Sequence, residues 1–193
     1  MISWWWVRHG PTHEKTFVGW RDVAADLSDT AALARLRAFL PAQAALVSSD
    51  LVRATATADA VQGAGHDRLP HARALREFNF GAWDGLGFEA VALRDPELSR
   101  TYWEQPGDIT PPGGESWNAA AARVGGFVDR VNGQGGTRHI IAVAHIGVIM
   151  TQIQRAAAQT AVEAIAHKID NLSVTRLDWD GAGWHVRMVN HVL

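Results

Sequence analysis

Apolar residues along the chain recur at the spacing of strands and of helices in alternation. Three stretches have the composition of buried strands: Ile2 to Val7, Ala44 to Val47 and His139 to Ala144. Gly10-Pro11 ends the first of them abruptly. A histidine lies just after the first stretch, as His9 beyond Arg8, and directly after the third, as His145. The pattern therefore predicts two apolar strands that each deliver a histidine at the carboxyl end.

Three further segments have apolar residues at the spacing of one helix face: Leu33, Leu36 and Leu40; Ala54, Ala58 and Val61; and Val124, Phe127, Val128 and Val131. Ser28 and Ser116 are predicted to cap the first and third helices, and Pro41 lies where the first should stop. Gly63 and Gly65 are predicted to close the second helix. Strand and helix signals thus alternate, as in an α/β protein.

The last third of the chain predicts a β-hairpin. Ser173 to Asp178 and Trp184 to Val189 flank the turn sequence Asp180-Gly181-Ala182-Gly183, and this hairpin could close the edge of the sheet. No repeat, low-complexity tract or long linker divides the chain. We therefore predict a single domain over residues 1–193, an α/β fold built as a three-layer α/β/α sandwich with a mostly parallel central sheet and helices on both faces.

Composition narrows the classes of function. The chain has 193 residues, 47% of them hydrophobic, and a formal net charge of -2, so neither nucleic acid nor an anionic membrane is expected as a partner. Because the chain has no cysteine, it has no disulfide, thiol nucleophile or thiolate metal site. Its histidines other than His9 and His145 lack the spacing of metal ligands. We expect no metal and no cofactor. With no signal peptide or apolar run of membrane-spanning length, the sequence predicts a cytoplasmic protein.

The first strand carries the main candidate chemistry. Arg8 and His9 lie at its carboxyl end, where open α/β sheets bind their ligands. A guanidinium group can present two donors to two phosphate oxygens, so this pair suits a phosphate site. Taken alone, this segment is explained equally well as a strand end that carries two polar residues without a function. The strand also predicts that Trp4, Trp5 and Trp6 pack on different layers, because successive side chains alternate between faces.

Five motifs occur in order along the chain: Arg8-His9-Gly10, Ser48-Ser49-Asp50-Leu51-Val52-Arg53-Ala54, Leu75-Arg76-Glu77-Phe78, Gly113-Gly114-Glu115-Ser116 and Val143-Ala144-His145-Ile146-Gly147. Together they closely resemble the histidine phosphatase superfamily, which contains phosphoglycerate mutases, fructose-bisphosphatases and α-ribazole phosphatases. The resemblance runs from Ile2 to Asn190-His191.

The resemblance implies roles for five residues. His9 would be the nucleophile that forms a phosphohistidine, which water then hydrolyses. Arg8 and Arg53 would each present a fork of donors to phosphate oxygens, and His145 would donate to the phosphoryl group. Glu77 would protonate the departing alkoxide and later take a proton from the attacking water. Taken singly, Arg53 could instead be an ion-paired surface residue and Glu77 could cap a turn.

Glu77 must hold its proton near neutral pH to act as an acid. Burial beside Phe78, Phe80 or Trp83 would raise its pKa sufficiently.

Secondary phosphate contacts depart from the family pattern. Thr12 matches a small hydroxyl residue that commonly follows the motif, and its hydroxyl could bond a phosphate oxygen. Lys15 stands where an asparagine is usual, and Lys15 and Arg21 could supply positive charge instead. Ile146 replaces a usual second glycine, which would reshape the rim of the pocket.

The resemblance favours a phosphatase that hydrolyses a small phosphorylated metabolite. Mutases of the family carry a longer insertion with tandem arginines before the Gly-Glu-Ser motif, whereas Leu86 to Pro112 is short and holds only the separate Arg94 and Arg100. Two alternatives stay open: phosphoglycerate mutase-type transfer, and an inactive module that binds a phosphorylated ligand. The sequence identifies neither the substrate nor the oligomeric state.

Overall fold

A six-stranded sheet forms the centre of the computed structural model, which describes residues 1–193. The strands are β1 (Ile2–Arg8), β2 (Ala44–Ser48), β3 (His66–Arg68), β4 (His139–Ala144), β5 (Val174–Trp179) and β6 (Trp184–His191). The helices are α1 (Thr30–Phe39), α2 (Val52–Val61), α3 (Phe88–Arg94), α4 (Pro96–Glu104), α5 (Trp117–Gln134), α6 (Ile146–Ala157) and α7 (Ala161–Ile165). Arg73–Leu75 and Gly81–Trp83 are short 3-10 turns.

The strand order β3-β2-β4-β1-β5-β6 places β1 and β4 side by side at the centre of the sheet. The first four strands of this order pair in parallel, and β5 and β6 add an antiparallel hairpin, so the predicted mostly parallel sheet and C-terminal hairpin are confirmed. Arg8 of β1 pairs with Ala144 of β4. The residues that follow, His9 and His145, therefore emerge next to each other at the carboxyl ends of these strands.

Helices cover both faces of the sheet, as predicted. On one face α5, α6 and α7 pack against Trp4 and Trp6, whose rings stack with centroids 5.1 Å apart. On the other face α1 and α2 pack against Trp5 and Val7. The prediction that the three tryptophans point to different layers is confirmed. The α3–α4 segment joins a smaller apolar cluster around Phe17 beside the site.

Two predicted helix boundaries need correction. Asp29, and not Ser28, caps α1, because the Asp29 carboxylate accepts a hydrogen bond from the Ala32 N–H at 2.9 Å. The second helix ends at Val61, before the glycines predicted to close it. Gly65 is needed for another reason: a Cβ there would collide with the carbonyl oxygen of Ala42. The Ser116 cap of α5 is confirmed by its 3.1 Å hydrogen bond from the Ala119 N–H.

Four helices, α3, α4, α6 and α7, and the short strand β3 lie in segments where the apolar pattern predicted no element. The most consequential of these is α6, which begins directly after His145 and buries six consecutive residues from Val148 to Ile153. None of the seven helices combines the length and the apolarity that crossing a membrane requires.

Candidate active site

A cavity of about 460 Å³ opens at the carboxyl ends of β1 and β4. Arg8, His9 and Thr12 line it from the first strand and the loop that follows. Glu77 and Gly147 line it from the third and fifth sequence motifs. The fold thus brings distant motifs of the chain to one cavity, where open α/β sheets commonly bind ligands.

His9 is neutral, and its free lone pair is on Nε2. The ring is 6% exposed, and Nδ1 lies 2.6 Å from the carbonyl oxygen of Gly10. A carbonyl only accepts hydrogen bonds, so Nδ1 carries the hydrogen and Nε2 keeps the lone pair. Burial, followed by the positive charge of Arg53, lowers the pKa of His9 to about 3 although the Gly10 carbonyl acts in the opposite direction.

The peptide between His9 and Gly10 is itself held from several sides. The Gly10 N–H donates to Thr57 Oγ1 at 3.0 Å, and Asn171 Nδ2 donates to the carbonyl oxygen of His9 at 2.8 Å. The His9 N–H donates to the carbonyl oxygen of Ala144 at 3.0 Å. These bonds fix the backbone from which the His9 side chain projects.

His145 is held in the opposite tautomer. Its Nδ1 accepts a hydrogen bond from Arg53 Nε at 3.2 Å, so the ring hydrogen is on Nε2. Complete burial, followed by the charge of Arg53, holds the pKa of His145 well below its usual value, and the ring is neutral. Nε2 is buried without a hydrogen-bond partner, and the ring centroid lies 5.1 Å from that of His9.

The two arginines differ in how many donors they keep free. Arg8 Nη1 donates to the Ile169 carbonyl at 2.5 Å, while its Nε is buried without a partner and its Nη2 makes no hydrogen bond, so a two-donor fork is available. Arg53 uses Nε for His145. Its Nη1 and Nη2 donate to backbone carbonyl oxygens of the loop at residues 18–21.

Arg53 therefore departs from the expectation of a second phosphate fork. Four of its five N–H groups already face protein acceptors. Its guanidinium orients the His145 ring and contributes positive charge, while Arg8 keeps the free donors.

Glu77 is a buried carboxyl group between two backbone donors. Its Oε1 accepts from the Phe78 N–H at 2.9 Å and its Oε2 accepts from the Gly147 N–H at 3.3 Å, in the first turn of α6. Burial raises the pKa of Glu77, opposed by these N–H groups and by the charges of Arg53 and Arg8. A Cβ at position 147 would lie 2.5 Å from Glu77 Oε1, so this approach requires glycine.

Sequence reasoning missed Arg123, which holds the Glu77 backbone. Its guanidinium donates to the carbonyl oxygens of Ala74 at 2.8 Å, of Arg76 at 2.9 Å and of Glu77 at 3.4 Å. It also forms an ion pair with Glu115, the acidic residue of the fourth motif. The eight-residue spacing of Glu115 and Arg123, about two helical turns, is a signal that could have paired them.

Of the three residues expected to make secondary contacts to phosphate, the structure places one in the cavity lining and two outside it. Thr12 lines the cavity. Lys15 is exposed and lies outside the cavity lining. The Arg21 side chain also lies outside it and pairs with Glu14 at 3.0 Å and with Asp84 at 3.7 Å. Arg21 contributes its backbone carbonyl, which accepts from Arg53.

This arrangement suits a tetrahedral anion. Arg8 Nε and His145 Nε2 are buried donors without protein partners, and an unpaired buried donor is unfavourable until a ligand supplies the acceptor. The amino end of α6 adds a favourable field for negative charge. Beside these donors, His9 Nε2 offers a lone pair. No group of three or more histidine and carboxylate side chains is placed to hold a metal ion.

Comparison with protein families finds a match over residues 4–192 to the model described as the histidine phosphatase superfamily, branch 1. Bifunctional protein Rv2228c of Mycobacterium tuberculosis is 38% identical over 177 residues, which cover 90% of this chain and 46% of that protein. The chain thus spans about half the length of this relative. A 2,3-bisphosphoglycerate-dependent phosphoglycerate mutase of Xanthobacter autotrophicus is 32% identical over 127 residues, 61% of either chain.

Two solved structures are similar over nearly the whole fold. YhfR of Bacillus stearothermophilus superposes with a TM-score of 0.90 at 24% identity, covering 100% of this chain and 98% of that one. A mycobacterial glucosyl-3-phosphoglycerate phosphatase, Rv2419c, superposes with a TM-score of 0.85 at 25% identity, covering 99% of this chain and 100% of that one. At 24% identity, the similarity to YhfR shows a shared fold and nothing further.

The depressed pKa of His9 predicts acid-sensitive stability. Between pH 6.5 and about 3 the unfolded chain binds a proton at His9 that the folded chain does not, so the free energy of unfolding falls as the pH is lowered through this range. We expect His9→Asn to remove about 1–2 kcal/mol of the loss between pH 7 and pH 5. Urea titrations at the two pH values measure this difference.

His191→Asn is the control, because His191 is an exposed histidine on β6. It should retain the pH dependence of the wild type. An undiminished loss of stability in His9→Asn would contradict the assignment of a buried neutral ring.

Proposed function

Because the chain belongs to the histidine phosphatase superfamily, we propose that it hydrolyses a small phosphorylated metabolite through a phosphohistidine at His9. Family membership and the similar proteins give the general activity, phosphoryl hydrolysis or transfer by a phosphatase or mutase-type enzyme. One observation carries the finer proposal: the neutral Nε2 of His9 lies beside the unpartnered buried donors of Arg8 and His145.

In the first step, His9 Nε2 attacks phosphorus and the bond from phosphorus to the ester oxygen breaks. The Arg8 fork and the His145 Nε2–H donate to the non-bridging oxygens, whose charge they stabilise in the transition state. Arg53 acts through His145 by keeping its Nε2 protonated. Glu77, whose pKa is raised by burial, gives its carboxyl proton to the departing oxygen.

In the second step, water attacks phosphorus and the bond from phosphorus to His9 Nε2 breaks. The Glu77 carboxylate left by the first step takes a proton from this water. Inorganic phosphate is released, and both His9 and Glu77 return to their starting protonation states. No other co-reactant is needed.

The lining of the cavity favours hydrolysis of a phosphate ester over the transfer of a phosphoryl group that a mutase catalyses. A mutase must bind a second phosphate, and Arg8 is the only arginine or lysine among the residues that line this cavity. Arg94 and Arg100, in the short segment at residues 86–112, pair instead with acidic neighbours, Asp95 for the first and Glu97 and Glu104 for the second. Neither lines the cavity.

Turnover of a panel of phosphate esters together with 2,3-bisphosphoglycerate and 3-phosphoglycerate tests the function. We expect release of inorganic phosphate from monoesters and no interconversion of phosphoglycerates. His9→Ala should abolish release, whereas His191→Ala should retain it. Phosphoryl exchange without net release would establish the mutase alternative, and ester binding without any turnover would establish the inactive binding module.

Glu77→Gln should lower kcat/KM, which reports the first step alone, by about 10²–10⁴-fold for esters of alkyl alcohols, which need a protonated leaving group. The loss should be much smaller for 2,4-dinitrophenyl phosphate, whose leaving group departs as an anion. Because the acid must be protonated, wild-type activity on alkyl esters should fall as the pH rises through the raised pKa of Glu77, and the variant should lack this limb. Steady-state kinetics across pH measures both effects.

Glu89→Gln, an exposed carboxyl group in α3, is the matched control and should behave as the wild type does. An equal loss on both classes of ester in Glu77→Gln would rule out Glu77 as the proton donor.

A further inference from the structure

Beyond His9 the cavity continues into a compartment with aromatic walls. We define this aromatic compartment by five residues that line the cavity: Phe17, Phe80, Phe88, Tyr102 and Trp103. The ring centroid of Phe17 lies 5.0 Å from that of Phe80 and 4.5 Å from that of Phe88. Trp103 stacks on Phe17 with an interplanar angle of 11°. The walls therefore offer flat apolar surfaces to whatever is esterified to the phosphate.

The cavity offers no unpaired charge to a charged leaving group. Arg8 keeps its free donors at the phosphate position beside His9, and both oxygens of Glu77 accept backbone N–H groups. Glu14, at the rim, forms an ion pair with Arg21 at 3.0 Å. A charged leaving group would lose hydration here and gain no counter-ion, which is unfavourable. The surroundings therefore favour a neutral one.

One polar atom among the aromatic walls lacks a partner: the hydroxyl of Tyr102, on α4. The side chain is 4% exposed, and its oxygen is inaccessible to water and without a hydrogen bond. Buried tyrosine hydroxyls usually find a partner, so one without any is a candidate ligand-binding group. Burial raises the pKa of Tyr102, and the hydroxyl keeps its hydrogen.

The Tyr102 ring is held in a fixed direction. Trp83 and Trp103 pack edge-to-face against it, with centroids 5.4 Å and 4.9 Å away and interplanar angles of 88° and 87°. Trp83 is fully buried and is anchored by its Nε1–H, which donates to Asp95 Oδ2 at 2.8 Å. A donor fixed in this way discriminates between ligands because it cannot turn to another acceptor.

We propose that the Tyr102 hydroxyl selects the leaving group, by donating a hydrogen bond to a neutral oxygen or nitrogen on a flat, uncharged alcohol that fills the aromatic compartment. The substrates are then phosphomonoesters of neutral aromatic alcohols that bear a hydrogen-bond acceptor away from the ester oxygen. This inference rests on the proposed hydrolysis at His9 and adds the class of alcohol released. Tyr102 takes no part in the chemical steps.

Matched pairs of esters test the selection: the meta and para isomers of hydroxymethylphenyl phosphate against the corresponding ethylphenyl phosphates. The two members of a pair have nearly the same size and leaving-group acidity, and only one carries the acceptor. We expect wild-type kcat/KM to favour at least one hydroxymethyl isomer by about 10-fold over its ethyl partner. Tyr102→Phe should reduce this ratio to about one.

The ratio separates selection from a structural role, because a merely structural residue would lower both members of a pair together. Such an equal loss, or a wild-type ratio near one for both isomers, would overturn the inference while phosphate release still supported the proposed function. No phosphate release from any ester would overturn the proposed function, and the inference with it.

A second measurement does not require the variant to fold. Tyr102 is the only tyrosine of the chain, so 3-fluorotyrosine places a single ¹⁹F label beside the hydroxyl. Hydroxymethylphenol of the favoured isomer should shift the ¹⁹F resonance differently from the ethylphenol, because only the former accepts the hydrogen bond. Identical shifts at saturation with both alcohols would contradict the proposal.

Discussion

Two hydrogen bonds to ring nitrogens determine what this site can do. The Nδ1 atom of His9 faces a carbonyl oxygen, and the Nδ1 atom of His145 faces a guanidinium N–H. A carbonyl accepts and a guanidinium donates, so the two rings are held in opposite tautomers. One Nε2 atom therefore has a lone pair and the other a hydrogen. The site has a nucleophile and a donor side by side while both rings stay neutral.

Burial makes this arrangement possible and sets its charge. Burial keeps both histidines neutral and raises the pKa of Glu77, so Arg8 and Arg53 supply the positive charge of the site. The donors that remain unpaired are unfavourable in the empty protein and become favourable with an anion. The surrounding contacts, such as the Arg123 bonds beneath Glu77, keep these groups in place without touching the cavity.

The features that could be predicted from the sequence are those whose signal lies in neighbouring residues of the chain. Strands β1 and β4 were predictable because burial on both faces leaves continuous apolar runs, and the order of the sheet then joins His9 to His145. The role of Arg53 was not predictable in this way. Its partners are backbone carbonyls of the loop at residues 18–21, which carry no residue-specific signal. Arg123 was missed for the same reason, since three of its acceptors are backbone oxygens.

The segment that contains α3 and α4 shows a second limit to prediction from the sequence. Helices α3 and α4 are only seven and nine residues long, and Val91 and Tyr102 are the residues that they bury in a small cluster beside the cavity. Trp103 in this segment suggests an apolar wall from the sequence, but the unpartnered hydroxyl of Tyr102 is visible only once the packing around it is known.

The position of the phosphoryl group on the trapped intermediate tests the central claim most directly. The phosphoenzyme, quenched in alkali during turnover and digested, can be examined by ³¹P NMR, which distinguishes the two ring nitrogens of phosphohistidine. Because Nδ1 of His9 is committed to the Gly10 carbonyl, the account predicts a single species phosphorylated on Nε2 of His9. A phosphoryl group on Nδ1, or on any other residue, would contradict it.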